Sequence, residues 1–185
     1  MNASGVIPAS SGPQLRRDGA HSIVTVLTGL ALSAALVLRY GADRDILLAL
    51  FVVNILVAIS RHDIERRVIP NRLVVPAWAI ALAANTILHP SQWSEWLLAS
   101  LAAGAFFLVF ARVSRGGVGM GDVKLVAFLG AALGADVLPA LVVGTAASGV
   151  LAAAILVRHG AAGRNRTYPL GPFLAAGAIV TLLFL

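Results

Sequence analysis

The sequence has no cysteine, one lysine and two methionines, and only 12% of its 185 residues are Asp, Glu, Lys or Arg. Without cysteine there can be no disulfide, thiolate nucleophile or cysteine-ligated zinc. The four histidines, His21, His62, His89 and His159, are scattered and form no HExxH pair, so a metalloprotease is not expected. Charge this sparse is about half of what a soluble domain carries. Aromatic residues are also few, at 6%. Long polar stretches are missing too, so a second folded domain is not expected. The one polar segment is residues 1–20, rich in Ser, Gly and Pro and closed by Arg16 and Arg17, and it reads as a disordered tail ahead of a domain over 21–185.

What the chain does have is apolar length. Hydrophobic residues make up 59% of it, and the mean hydropathy is +0.90. That surface needs a solvent other than water, and a lipid bilayer is the natural one. Seven apolar runs stand out, at 22–38, 45–60, 73–88, 96–111, 123–134, 137–157 and 168–185. They predict an all-α polytopic bundle of about seven transmembrane helices. The fifth run is too short to span alone: a 12-residue helix rises about 18 Å. It must extend into its flanks, thin the membrane locally, or be shielded by protein. The first run is longer than the apolar core of a cleaved signal peptide and follows a long polar leader, which favours an anchor.

The basic residues test this segmentation. With the N-terminus cytoplasmic, one set of loops carries every Lys and Arg except Arg39 and Arg44. The positive-inside rule predicts that alternation. It also accounts for the net charge of +6 without a nucleic-acid partner. On the same side the folded part has three acids, Asp63, Glu65 and Asp122.

Asp63 and Glu65 follow the second run, and on a continuing helix they point about 200° apart, so only one can face the bundle. Pro70 suits the first turn of the next helix, and Asn71 is a candidate cap. Asp122 follows a glycine-rich stretch, Gly116-Gly117-Val118-Gly119-Met120-Gly121, that allows close approach of another chain. It opens the short fifth segment, where a helix dipole favours a carboxylate. On these grounds alone Asp63 is either an interfacial charge paired with Arg61 or Arg67, or a functional acid. Asp122 is either a helix cap or a functional acid. Two carboxylates brought together can share one proton. One then takes a proton from water while the other protonates a scissile carbonyl.

The stretch Asp63-Ile64-Glu65-Arg66-Arg67-Val68-Ile69-Pro70-Asn71-Arg72-Leu73 resembles the first signature of the type IV prepilin peptidases. Gly119-Met120-Gly121-Asp122-Val123-Lys124-Leu125 is similar to their GxGD signature, and Tyr168-Pro169-Leu170-Gly171-Pro172-Phe173-Leu174 to the start of their last helix. The resemblance implies a multi-pass inner-membrane aspartyl endopeptidase that cuts the basic leader from prepilins or pseudopilins at the cytoplasmic face. It implies Asp63 and Asp122 as the catalytic pair, with no metal or cofactor. Gly119, Gly121, Lys124, Pro70, Asn71 and Glu65 would support the motifs or bind substrate. Bifunctional members have an N-terminal insert with paired CxxC motifs and also N-methylate the new terminus. This chain looks like the short peptidase-only type of Flp/Tad pili, with a six-helix core and one helix in front. Two other readings compete: a Ser–Lys protease using Lys124 with Ser60 or Ser114, and a small transporter or proton channel using interfacial carboxylates.

Overall fold

The computed structural model describes residues 12–41, 43–114, 118–159 and 169–184, with side chains from Ser22 onward except that of His159. Each apolar run becomes a helix: α1 Gly12–Tyr40, α2 Ile46–Arg66, α3 Asn71–Leu88, α4 Trp93–Val113, α5 Met120–Leu133, α6 Val137–His159 and α7 Gly171–Phe184. No strand occurs among the described residues. The backbone of 12–20, expected to belong to the tail, continues α1, while residues 1–11 lie outside the described part. By length and composition five stretches can cross a membrane. The last of these, Met120–Arg158, is one unbroken apolar stretch in sequence, but the short 3₁₀ turn Gly134–Asp136 divides it. Gly134 has φ +58°, a conformation that favours glycine.

Close contacts fix the helix directions. Gly104 lies against Ala127, and Gly130 against Ala99 and Ser100, so α4 and α5 are antiparallel. Gly144 meets Phe173 and Leu174 while Gly177 meets Ala140, so α6 and α7 are antiparallel too. Lys124 reaches Asn71 near the starts of α5 and α3, and Asn85 reaches Ala131 near their ends, so those two run parallel. The C-terminal ends of α2 and α4 therefore share one end of the bundle with the starts of α3, α5 and α7.

The short fifth segment resolves in favour of shielding. α5 has 14 residues, a rise of about 21 Å, against a hydrocarbon core of about 30 Å. It sits in the centre, with Leu125, Val126, Phe128, Leu129 and Ala131 fully buried. Glycine at 104 and 130 lets α4 approach its backbone closely. Polar residues inside the apolar runs tie the neighbours to it. Trp78 Nε1 donates to Ser100 Oγ at 2.8 Å, Ser100 Oγ donates to the Ala127 carbonyl at 2.9 Å, and Asn85 Nδ2 donates to the Ala131 carbonyl at 2.8 Å. The apolar surface faces outward on other helices, as with Leu38, 88% exposed, and Val157, 86% exposed. In water that would be a liability; against lipid tails it costs nothing.

Candidate active site

Asp63 lies one turn before the end of α2, which continues past the apolar run to Arg66. The helix stops because Arg67 adopts a left-handed conformation, φ 53°, and its N–H closes on the Asp63 carbonyl at 2.8 Å. A non-glycine residue pays about 1–2 kcal/mol for that conformation. The turn sends Val68, Ile69 and Pro70 back across the end of the bundle into α3.

The Asp63 side chain is not paired with Arg61 or Arg67 as an ordinary interfacial charge would be. Arg61 instead bonds Glu65 at 2.8 Å, one turn along the same helix. Asp63 is only 6% exposed, and its Oδ2 accepts the Gly171 N–H at 3.0 Å, 108 positions away in the chain. Gly171 opens α7, where the first N–H groups have no partner within the helix. A carboxylate there is also favoured by the helix dipole. A Cβ on it would lie 2.7 Å from Asp63 Oδ2, so any side chain there displaces the carboxylate or the helix start.

Asp122 occupies the third position of α5, after the N-cap Gly119. Its Oδ2 accepts the Gly119 N–H at 3.1 Å, so it caps its own helix as well as lying at the candidate site. Gly121, just before it, faces Ile69: an added Cβ would come 3.0 Å from Ile69 Cβ. Ile69 also lies 3.4 Å, through Cδ1, from the place a Cβ on Gly171 would take. Ile69 is 7% exposed. It sits as a wedge between the starts of α5 and α7, against the glycine before Asp122 and the glycine that donates to Asp63. Both carboxylates are thus met by N–H groups at the starts of the two shortest helices, α5 and α7, each of 14 residues.

The remaining candidates divide. Lys124 Nζ donates to Asn71 Oδ1 at 2.8 Å, joining the α5 start to the α3 start. Asn71 is therefore not the cap expected of it: Pro70 is the N-cap, one position earlier than its expected place inside the first turn, and Asn71 has its side chain turned to Lys124. Neither Ser60 nor Ser114 is the observed partner of Lys124, and Ser114 Oγ donates to the Ala111 carbonyl at 3.3 Å. Glu65 is exposed and paired with Arg61 on the rim of a groove of about 520 Å³ between α1, α2 and α7. Gly116 and Gly117, expected to admit substrate, lie outside the described residues. Two contacts were not foreseen from sequence: that of Gly171 with Asp63, and the wedge of Ile69. The signal for the first was the Gly-Pro step at 171–172, which marks a helix start.

Comparison with known proteins bears on this geometry. The model of the type IV leader peptidase family matches residues 50–157, which include both aspartates. A prepilin leader peptidase/N-methyltransferase of Bacillus subtilis is 32% identical over 158 residues, covering 85% of this chain and 64% of that protein. One from Burkholderia pseudomallei is 30% identical over 171 residues, covering 90% and 55%, and one from Dichelobacter nodosus is 32% identical over 170 residues, covering 89% and 57%. The chain thus spans between 55% and 64% of the length of these three relatives. No solved structure matches it. With its family model matched over more than half its length across both aspartate-bearing segments, this multi-pass helical chain belongs to the type IV leader peptidase family.

Proposed function

We propose that the chain is a membrane aspartyl endopeptidase that removes the basic leader from prepilins or pseudopilins, with Asp63 and Asp122 as the catalytic pair. The observation that carries this reading is that two aspartates, 59 positions apart in sequence, lie at one end of the bundle, each accepting an N–H at a helix start. Family membership favours hydrolysis over a transporter or channel.

The chemistry needs one carboxyl ionised and one protonated. The ionised carboxylate takes a proton from a water molecule, and the water oxygen bonds to the scissile carbonyl carbon. The protonated carboxyl delivers its proton to the carbonyl oxygen. The resulting gem-diol collapses as the C–N bond breaks, and a proton passes to the leaving amine. No covalent intermediate forms, and the pair returns to its starting protonation. Asp63, only 6% exposed, sees little bulk water, which strengthens the charge interactions it makes.

The aspartate end of the bundle carries Arg61, Arg66, Arg67, Arg72, Arg112, Lys124 and Arg158 among the residues with described side chains, and the far end Arg39 and Arg44. This asymmetry supports an active site on the cytoplasmic face of a bacterial inner membrane. The chain has no cysteine, so we assign it hydrolysis without N-methylation, as in the short enzymes of Flp/Tad pili.

Co-expression with a candidate prepilin tests the reading. The chain should convert prepilin to a shorter form with an unmethylated N-terminus by mass spectrometry. Asp63→Asn and Asp122→Asn should each abolish conversion; normal processing by either variant would overturn the mechanism.

A further inference from the structure

We propose that Gly171 is a positioning residue of the site: it aims Asp63 through its N–H and leaves the carboxylate room through its missing side chain. This rests on the aspartyl peptidase reading above. Three observations meet at this one residue. Its N–H donates to Asp63 Oδ2 at 3.0 Å. An added Cβ would fall 2.7 Å from that oxygen and 3.2 Å from the carboxyl carbon. The same Cβ would come 3.4 Å from Cδ1 of Ile69, the wedge that also abuts Gly121 next to Asp122.

Asp63 is thus held at two points. Its backbone is locked by the α2 C-cap, where Arg67 N–H bonds the Asp63 carbonyl. One carboxylate oxygen is taken by the start of α7. A carboxylate has two oxygens, and binding one to a fixed N–H directs the other. At α7 the residue after Gly171 is Pro172, which has no N–H, and the N–H groups of Phe173 and Leu174 donate to the Leu170 carbonyl at 3.0 and 3.2 Å. Gly171 N–H is therefore the donor that this helix start turns to Asp63. The last helix, outside the residues 50–157 matched by the family model, contributes to the site through a backbone group. A change of side chain there acts on the aspartate by displacing it.

The size of the effect follows from the contact. Ordinary van der Waals contact begins at 3.4 Å, so alanine at 171 must push the carboxylate or α7 by 3.4 − 2.7 = 0.7 Å. A misplacement of about 1 Å at a reacting group can cost about 100-fold in rate. The enzyme in detergent or liposomes, assayed on a prepilin, should show kcat lowered roughly 10- to 100-fold by Gly171→Ala, with KM within about twofold. Gly149→Ala, on α6 with nothing within 4 Å of the added Cβ, is the control. A thermal-stability cycle reads the contact without activity. Gly171→Ala should lower Tm beside Asp63, and the loss should shrink in an Asp63→Ala background, where the clash is gone. Unchanged kcat, or an equal Tm loss in both backgrounds, would overturn the proposal. Activity retained by Asp63→Asn would instead overturn the peptidase reading, and the Tm cycle would still report whether the contact exists.

Discussion

Alanine in place of Gly130 is the sharpest probe of how packing in the bundle reaches the candidate site. Gly130 lies near the end of α5, pressed against the backbone of α4. An added Cβ would stand 2.6 Å from the Ala99 carbonyl oxygen and 2.6 Å from Ser100 Cα. Both are main-chain atoms within a helix, so neither can swing aside like a flexible side chain. Ordinary contact begins at 3.4 Å, so the helices must part by 3.4 − 2.6 = 0.8 Å. Overpacking of this kind costs about 1–3 kcal/mol, which the better helix propensity of alanine offsets by up to about 1 kcal/mol. A net cost of about 1–2 kcal/mol is expected. The shift also tilts α5, which carries Asp122 about 12 Å along its axis. Activity should therefore fall more steeply than the folded fraction, by roughly 10-fold or more. Tryptophan fluorescence during heating in detergent reads the first effect, and prepilin cleavage on the surviving folded enzyme reads the second. Gly149→Ala should leave both at or slightly above the starting value. If Gly130→Ala is as stable and active as the parent, α4 and α5 are not packed backbone to backbone, and the account of why a 14-residue helix can be central fails.

Ser100→Ala should destabilise by about 1–3 kcal/mol, because Ser100, 1% exposed, accepts from Trp78 and donates to Ala127, and loss of it strands the indole N–H in apolar surroundings. Thermal unfolding checks it, and replacement of Trp78 by Phe in the same background should recover part of the loss. Lys124→Met and Asn71→Ala remove opposite halves of one hydrogen bond, so each should cost about 1 kcal/mol and the double variant little more than either. Full additivity of the two would show that the bridge between α3 and α5 contributes nothing. Ser60→Ala and Ser114→Ala separate a bridging role of Lys124 from a Ser–Lys mechanism, and both should retain full peptidase activity on a prepilin.

Much of this protein was legible in one dimension. Apolar run length and sparse charge impose helices and lipid, because backbone groups in a bilayer must be satisfied within each segment. Arg39 and Arg44 stand apart from the other basic residues, and that spacing fixes the alternation of the helices. By position alone Asp63 and Asp122 had ordinary readings, as an interfacial charge and a helix cap, and they stood out through the charge alternation and the signatures around them. The tertiary structure decided how those acids are held. Nothing local to Asp63 says that its partner is a backbone N–H 108 positions away, since a backbone donor leaves no side chain to read. The glycines at 121, 130 and 171 look alike in sequence, yet one faces Ile69, one the α4 backbone and one a carboxylate. Asn71 looked like a cap by position and became a partner of Lys124, because the parallel packing of α3 and α5 offered its amide a charged donor. Patterning along the chain determined which segments cross the membrane and at which end the acids lie. Only the close packing of α5 and α7 against the returning α2–α3 turn determined which oxygen of Asp63 is held and which glycines Ile69 meets.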